Sequence, residues 1–259
     1  MNVPFKNLKV GNGDLSRDYP LFYLRINHVK ILKVHYSLIS RVMVVFKDSV
    51  KIVSFDVGGT LVDNRYLDLV WNKAIPELYA RKMNIDPESA KEYVLREYAR
   101  VGDDDINWYS PEYWFKRFGL EGDPLDFFES FKDEVRIYPE VPSVLKNLSE
   151  KFLLIISTCT PRGILEVEIE RIRCYFRRVF SSTSDFKLVR KTMEFYGRVC
   201  QAMRVSPQDV VHVGDDWNFD YLIPRKIGIR SFYLDRARRK KNDLVIKDLR
   251  ELEAILLNT

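Results

Sequence analysis

From Lys51 onward the chain alternates short apolar runs with longer stretches of helical period. Lys51–Asp56, Phe152–Thr158, Arg178–Ser182, Val210–Asp215 and Ser231–Asp235 are brief, rich in Val, Ile and Phe, and bounded by Gly, Ser or charged residues, the pattern of buried strands. Pro142–Lys151, Pro161–Phe176, Lys191–Met203 and Phe219–Lys226 lie between them and carry apolar residues at helical spacing. Strands alternating with helices predict an α/β fold, a Rossmann-like parallel sheet with helices on both faces. In such sheets the reactive groups gather beyond the carboxyl ends of the strands.

Residues 64–138 break the alternation. They contain no convincing strand and three helix starts of one kind: Asp86-Pro87, Ser110-Pro111 and Asp123-Pro124. Each sets a capping side chain before a proline suited to the first helical position. The series Leu67, Val70, Trp71, Ala74, Leu78 and Ala90, Val94, Tyr98, Val101 continue the helical period. The expected organisation is an α/β core from residues 50–63 and 139–259, with an all-helical cap of residues 64–138 inserted after the first strand. The aromatic cluster Trp108, Tyr109, Tyr113, Trp114, Phe115 and Phe118 reads first as the packing of that small helical unit, and otherwise as a wall over the substrate. Asp103-Asp104-Asp105 reads as a solvated loop.

Residues 1–49 differ in character. The formal net charge is +5, from 42 basic and 37 acidic side chains. Residues 1–50 hold eight of the basic ones (Lys6, Lys9, Arg17, Arg25, Lys30, Lys33, Arg41, Lys47) and three of the acidic (Asp14, Asp18, Asp48), so the whole excess lies there. The remainder is formally neutral, which removes the general electrostatic argument for nucleic acid. The segment reads either as a basic arm that adds a strand or meets a partner, or as lying outside the working protein with Met43 as the natural start. With 46% hydrophobic and 31% charged residues, no long apolar span and no leader pattern, a soluble cytoplasmic protein without membrane contact is expected. Cys159, Cys174 and Cys200 have neither metal nor disulfide spacing and read as buried apolar side chains.

Candidate chemistry sits at the predicted strand ends. Asp56 closes the first strand in V-S-F-D-V-G-G-T-L-V; Ser157 and Thr158 close the second; Lys191 opens a helix after the third; and Asp215, Asp216 and Asp220 follow the fourth in V-G-D-D-W-N-F-D. Each piece alone has an ordinary structural explanation as a cap, turn or solvated side chain. In this order the four motifs resemble those of the haloacid dehalogenase superfamily, most of whose members are phosphohydrolases, and the helical insert falls where that family places its cap.

The resemblance implies roles. Asp56 is the expected nucleophile, passing through an aspartyl-phosphate, with Ser157 and Lys191 as its catalytic companions. Gly58, Gly59 and Thr158 are expected to contact the substrate phosphate, in part through backbone N–H groups. Mg2+ is the implied cofactor, held by Asp56, the Gly58 carbonyl and Asp215. Asp216 and Asp220 are expected to hold metal through water, to orient Lys191, or to cap the helix near Asn218. The expected substrate is a small phosphorylated metabolite.

Gly58 departs from the pattern, because phosphatases of the family usually carry an aspartate there as general acid and base. Three outcomes remain open: a substrate with a good leaving group, a replacement acid from the cap or water, or another reaction. The dehalogenases of the same superfamily also lack that aspartate, and Arg65 is their candidate halide or carboxylate binder here. By resemblance they place a serine where Asp215 stands, which favours the phosphatase. A third reading is a binding protein on a hydrolase scaffold. Arg236–Lys241 (R-A-R-R-K-K) reads as a solvated loop before the last helix rather than a nucleic-acid contact.

Overall fold

The computed structural model describes residues 50–237 and 244–257. The segment 1–49 and most of the basic run Arg236–Lys241 lie outside them. The described residues form a parallel sheet of β1 (Ile52–Phe55), β2 (Leu153–Thr158), β3 (Arg178–Ser181), β4 (Val210–Gly214), β5 (Arg230–Leu234) and β6 (Val245–Ile246), in the order β3-β2-β1-β4-β5-β6. The chain winds outward from β1 to β3, then returns to lay β4 against the other side of β1. That reversal leaves a crevice at the carboxyl ends of β1 and β4, where α/β sheets bind ligands.

The expected α/β architecture is therefore present, with strand boundaries within a residue or two of expectation. The two-residue β6 was not anticipated, since its length leaves no periodic signal. Both faces of the sheet are covered. Val53, Phe55, Leu154, Ile156, Val211 and Val213 join one apolar cluster, which continues into the helical insert through Tyr66, Val70, Trp114 and Phe128. Ile52, Ile155 and Val210 pack on the other side against Phe195, Tyr196 and Val199 of helix Met193–Met203. Alternate residues of a strand face opposite sides, so near-continuous apolar runs are what a doubly covered sheet requires.

Between Arg65 and Glu134 the described elements are all helical, joined by short loops, and all three anticipated caps form. The side chains of Asp86, Ser110 and Asp123 accept from Ser89 N, Tyr113 N and Leu125 N at 2.9, 3.1 and 2.7 Å. The insert is joined to the core by a short antiparallel contact between Val62 and Ile137. Tyr98, Trp114 and Phe118 pack ring on ring and are almost completely buried, so this part of the aromatic cluster is the insert's own core.

Two helices depart from expectation. The helix expected over Pro161–Phe176 is α-helical only from Arg162 to Ile169 and tightens into a 3-10 segment, Glu170–Tyr175, as helix ends often do. The helix expected from Phe219 begins earlier, as a π-helical stretch Trp217–Leu222 leading into Ile223–Lys226. A second π stretch, Val70–Ala74, leads into Ile75–Met83. Each precedes a proline, Pro224 and Pro76. Proline lacks the N–H for the residue four before it and crowds that carbonyl; a widened turn relieves both. The residue four before Pro224 is Asp220. Among the described residues, no helix is long and apolar enough to cross a membrane. Cys159 and Cys200 are buried as expected, but Cys174 is exposed on the 3-10 segment.

Candidate active site

The backbone of Asp56 continues the β1–β4 pairing, its N–H donating to Val213 O at 2.9 Å. The chain then coils tightly: Thr60, Leu61 and Val62 N–H groups all reach Val57 O, and Gly59 N donates to Val62 O at 2.7 Å. The coil fixes Asp56 beside the residues that follow β4. Carboxylate oxygens of Asp56, Asp215 and Asp220 lie within 4.8 Å of one another, the one such acidic group among the described residues.

Lys191 stands against this group. Its Nζ lies 2.6 Å from Asp56 Oδ1 and also forms an ion pair with Asp220 Oδ1, and all three side chains are buried. The helix begins at Met193 with Thr192 as its cap, so Lys191 precedes the helix instead of lying within its first turn. Asp220 is fully engaged. Its Oδ1 also meets His212 Nε2 at 2.9 Å, and its Oδ2 accepts from Asp216 N at 3.1 Å. Asp216 is the helix cap, accepting from Asn218 N and Phe219 N. Of the roles left open for this pair, capping falls to Asp216 and orientation of Lys191 to Asp220.

The electrostatics follow from burial opposed by pairing. Burial pushes the Asp56 carboxyl up to about 6, although Lys191 pulls it down. Burial works against the charge on Lys191 as well, but Asp220 and Asp56 outweigh it and hold the ammonium well above its ordinary range. The same pairing, with a hydrogen bond from His212, keeps Asp220 ionised below the usual carboxylate range against its burial. Asp56 is thus short of positive charge with Lys191 alone. A cluster of carboxylate oxygens short of positive charge suits a hard cation such as Mg2+.

Ser157 and Thr158 end β2, wholly buried. Ser157 Oγ lies 2.8 Å from Ser54 Oγ, and Thr158 Oγ1 lies 3.2 Å from Thr160 Oγ1. Gly58 is buried and bridges to Val62. Gly59 has φ +74°, and a Cβ there would run into the Asp215 carboxylate. This glycine is required by backbone shape and by the approach of Asp215. The structure thus brings Asp56, Lys191 and Asp215 to one point at the sheet's crevice, with Ser157, Thr158, Gly58 and Gly59 on the adjoining strand ends and coil.

Several residues of this region escaped the sequence reading. Arg236 is not solvated: it donates to Gly59 O and Thr60 O at 3.2 and 2.8 Å, pairs with Glu140 at 2.8 Å and lies over the Tyr138 ring, bracing the coil after Asp56. Arg190 pairs with Asp103 and Asp104 at 3.0 and 2.8 Å, tying the helical insert to the segment before Lys191. The acidic run is an exposed loop as expected, and the ion pairs with Arg190 are what the sequence did not announce; its third member, Asp105, caps Ile106–Tyr109. Glu168, on helix Arg162–Ile169, is buried, and burial together with the charge of Asp56 lifts its carboxyl to about 8. Its signal was a glutamate within the apolar stripe of Ile164, Leu165 and Ile169. Arg65 lies at the surface, paired with Asp63 at 2.7 Å.

A family model described as haloacid dehalogenase-like hydrolase matches residues 50–228. The GMP/IMP nucleotidase YrfG of Escherichia coli K12 is 35% identical over 69 residues, covering 27% of this chain and 31% of that protein. The chain thus matches under a third of the length of that curated relative. The HAD phosphatase of Thermococcus onnurineus has the same fold, with a TM-score of 0.70 at 22% identity over 80% of this chain and 98% of that one. So does the 2-haloacid dehalogenase of Pseudomonas syringae pv. Tomato DC3000, at 0.61 and 19% over 81% and 99%.

Proposed function

The chain belongs to the haloacid dehalogenase-like hydrolases, and from that membership we propose that it is a Mg2+-dependent phosphomonoester hydrolase with Asp56 as nucleophile and residues 64–138 as a cap over the crevice. The observation that carries this reading is the convergence of Asp56, Asp215 and Asp220 within 4.8 Å. Three carboxylates at one point would repel a carboxylate substrate, and they suit a site that receives a cation together with a phosphate.

Asp56, Asp215 and the Gly58 carbonyl are the groups that would hold the ion; Asp220 is occupied by Lys191, His212 and Asp216 N–H. Mg2+ bound there supplies charge neutralisation for the attack of one anion on another. The remaining work falls to the chain. Lys191 holds the Asp56 carboxylate ionised and in place. Asp56 attacks phosphorus, the bond to the leaving oxygen breaks, and water then hydrolyses the aspartyl-phosphate. The Ser157 hydroxyl, held by Ser54, is placed toward a phosphoryl oxygen, and Thr158 and the Gly58–Gly59 backbone line the same place. Gly58 brings no side chain to protonate the leaving group, so substrates with good leaving groups react best.

The dehalogenase reading draws on Gly58 and on the shared fold. Against it stand Asp215 and the surface position of Arg65, its candidate anion binder. The E. coli relative's name puts GMP and IMP at the head of a substrate panel. The deciding test is hydrolysis of an aryl phosphate, GMP and IMP with Mg2+ and with EDTA, beside halide release from a 2-haloacid. Phosphate release that EDTA abolishes supports the reading. Halide release that persists in EDTA would replace it.

A further inference from the structure

Three neighbouring strands carry a polar residue on a face that is otherwise apolar. Ser54 of β1, Ser157 of β2 and His212 of β4 share the side on which Ile52, Ile155 and Val210 pack against helix Met193–Met203. Their exposures are 2%, 0% and 0%. Buried hydroxyls and imidazoles destabilise a fold unless they are paired, and these are paired with one another. Ser54 and His212 are direct partners in the β1–β4 register. The Ser54 hydroxyl lies 2.8 Å from Ser157 Oγ and 2.9 Å from His212 Nδ1. The opposite ring nitrogen, Nε2, is 2.9 Å from Asp220 Oδ1 and 3.0 Å from the Tyr196 hydroxyl. Asp220 pairs with Lys191, and Lys191 with Asp56. The circuit therefore runs Asp56, Lys191, Asp220, His212, Ser54, Ser157, and its two ends are the expected nucleophile and the expected phosphate-binding hydroxyl.

We propose that Ser54 and His212 are positioning residues for phosphoryl transfer, locking the Lys191–Asp220 pair and the Ser157 hydroxyl into one rigid unit beneath the phosphate site. Lysine is a flexible stem with a point charge, so its partner must be fixed if the cation is to stay on Asp56. His212 fixes Asp220 from below, and Asp216 N–H fixes it from the side. A Cβ at Gly214 would collide with the Asp220 carboxylate, so the strand itself is shaped to admit it. Ser54 carries the constraint across β1, bridging His212 Nδ1 and Ser157 Oγ at 2.9 and 2.8 Å. Outer partners of this kind typically change activity about 10–100-fold when removed. Neither residue touches the substrate.

This inference rests on the phosphohydrolase reading, and a double-mutant cycle separates the two. The variants are Ser54→Ala, His212→Phe and the pair, assayed on an aryl phosphate at saturating Mg2+ below each variant's melting temperature. Each single change is expected to lower kcat about 10–100-fold, while the Mg2+ concentration for half-activity stays that of wild type, because Asp56 and Asp215 are untouched. The double variant is expected to be no slower than the worse single one, since either change opens the same circuit. His212→Gln, which restores a donor toward Asp220, is expected to recover part of the loss, and it replaces His212→Phe in the cycle if the latter does not fold. Wild-type kcat per folded molecule in the single variants, or losses that multiply in the double, would overturn the inference and leave the phosphohydrolase reading intact. A wild-type protein that turns over no phosphate ester would remove both.

Discussion

Lys191 and Asp56 are 135 residues apart in the chain, and their side chains meet at 2.6 Å in a site closed to solvent. Lys191 is the cation that keeps two buried carboxylates, Asp56 and Asp220, ionised side by side. Removing one partner of a buried pair leaves uncompensated charge and costs about 3–5 kcal/mol. Lys191→Met is therefore expected to destabilise the protein by about that much, measured by urea unfolding, and to abolish turnover even under conditions where it remains folded.

Gly59 answers to a different constraint. Its φ of +74° and the adjacent Asp215 carboxylate leave no place for a side chain. A left-handed backbone costs a non-glycine residue about 1–2 kcal/mol. Gly59→Ala is expected to lose at least that in stability and, by displacing Asp215, to raise the Mg2+ concentration needed for half-activity. Titration of activity with Mg2+ reads the second effect.

Gly58 is the neighbouring position at which a side chain is missing from the family pattern. A general acid contributes about 10²–10⁴-fold. Gly58→Asp is expected to raise turnover of alkyl phosphates, whose leaving groups need a proton, far more than that of aryl phosphates. Parallel kcat measurements on the two ester classes check this.

Glu168 gives the pH dependence a sign. Its carboxyl sits at about 8 in the folded protein against 4.5 ordinarily, raised by burial and then by Asp56. Between those values the unfolded chain releases this proton and the folded one keeps it, so folding stability falls as pH rises, by up to about 1.4 kcal/mol per pH unit. Below 4.5 the contribution is fully present, and above 8 it is lost. Glu168→Gln removes the titration. Its stability relative to wild type is expected to be higher at pH 8 than at pH 5, as read from urea unfolding at the two values.

The sequence announced whatever was periodic or local. Five strands showed as apolar runs and three insert helices showed through an Asp or Ser before a proline. The separate pieces around Asp56, Ser157, Lys191 and Asp215 were legible because each sits at a strand end. Groups that depend on sheet register were hidden. Ser54 and His212 stand in strands that read as apolar, and only the order β2-β1-β4 reveals that they adjoin. Arg236 looked like part of a basic loop because its partners, Gly59 and Thr60, are more than 170 residues earlier. The ion pairs of the exposed Asp103 and Asp104 were hidden for the same reason: their partner Arg190 is more than 80 residues later in the chain. The π-helical turn that presents Asp220 left a trace in Pro224, which a purely α-helical reading passes over.

The claim on which the rest depends is that Asp56 attacks phosphorus. The most direct measurement is the rate of aryl phosphate hydrolysis in saturating Mg2+ by Asp56→Asn beside wild type, with folding of both confirmed by their melting curves. Loss of the nucleophile is expected to lower kcat by about 10⁴-fold or more. An Asp56→Asn variant that hydrolyses the ester at the wild-type rate would contradict the account.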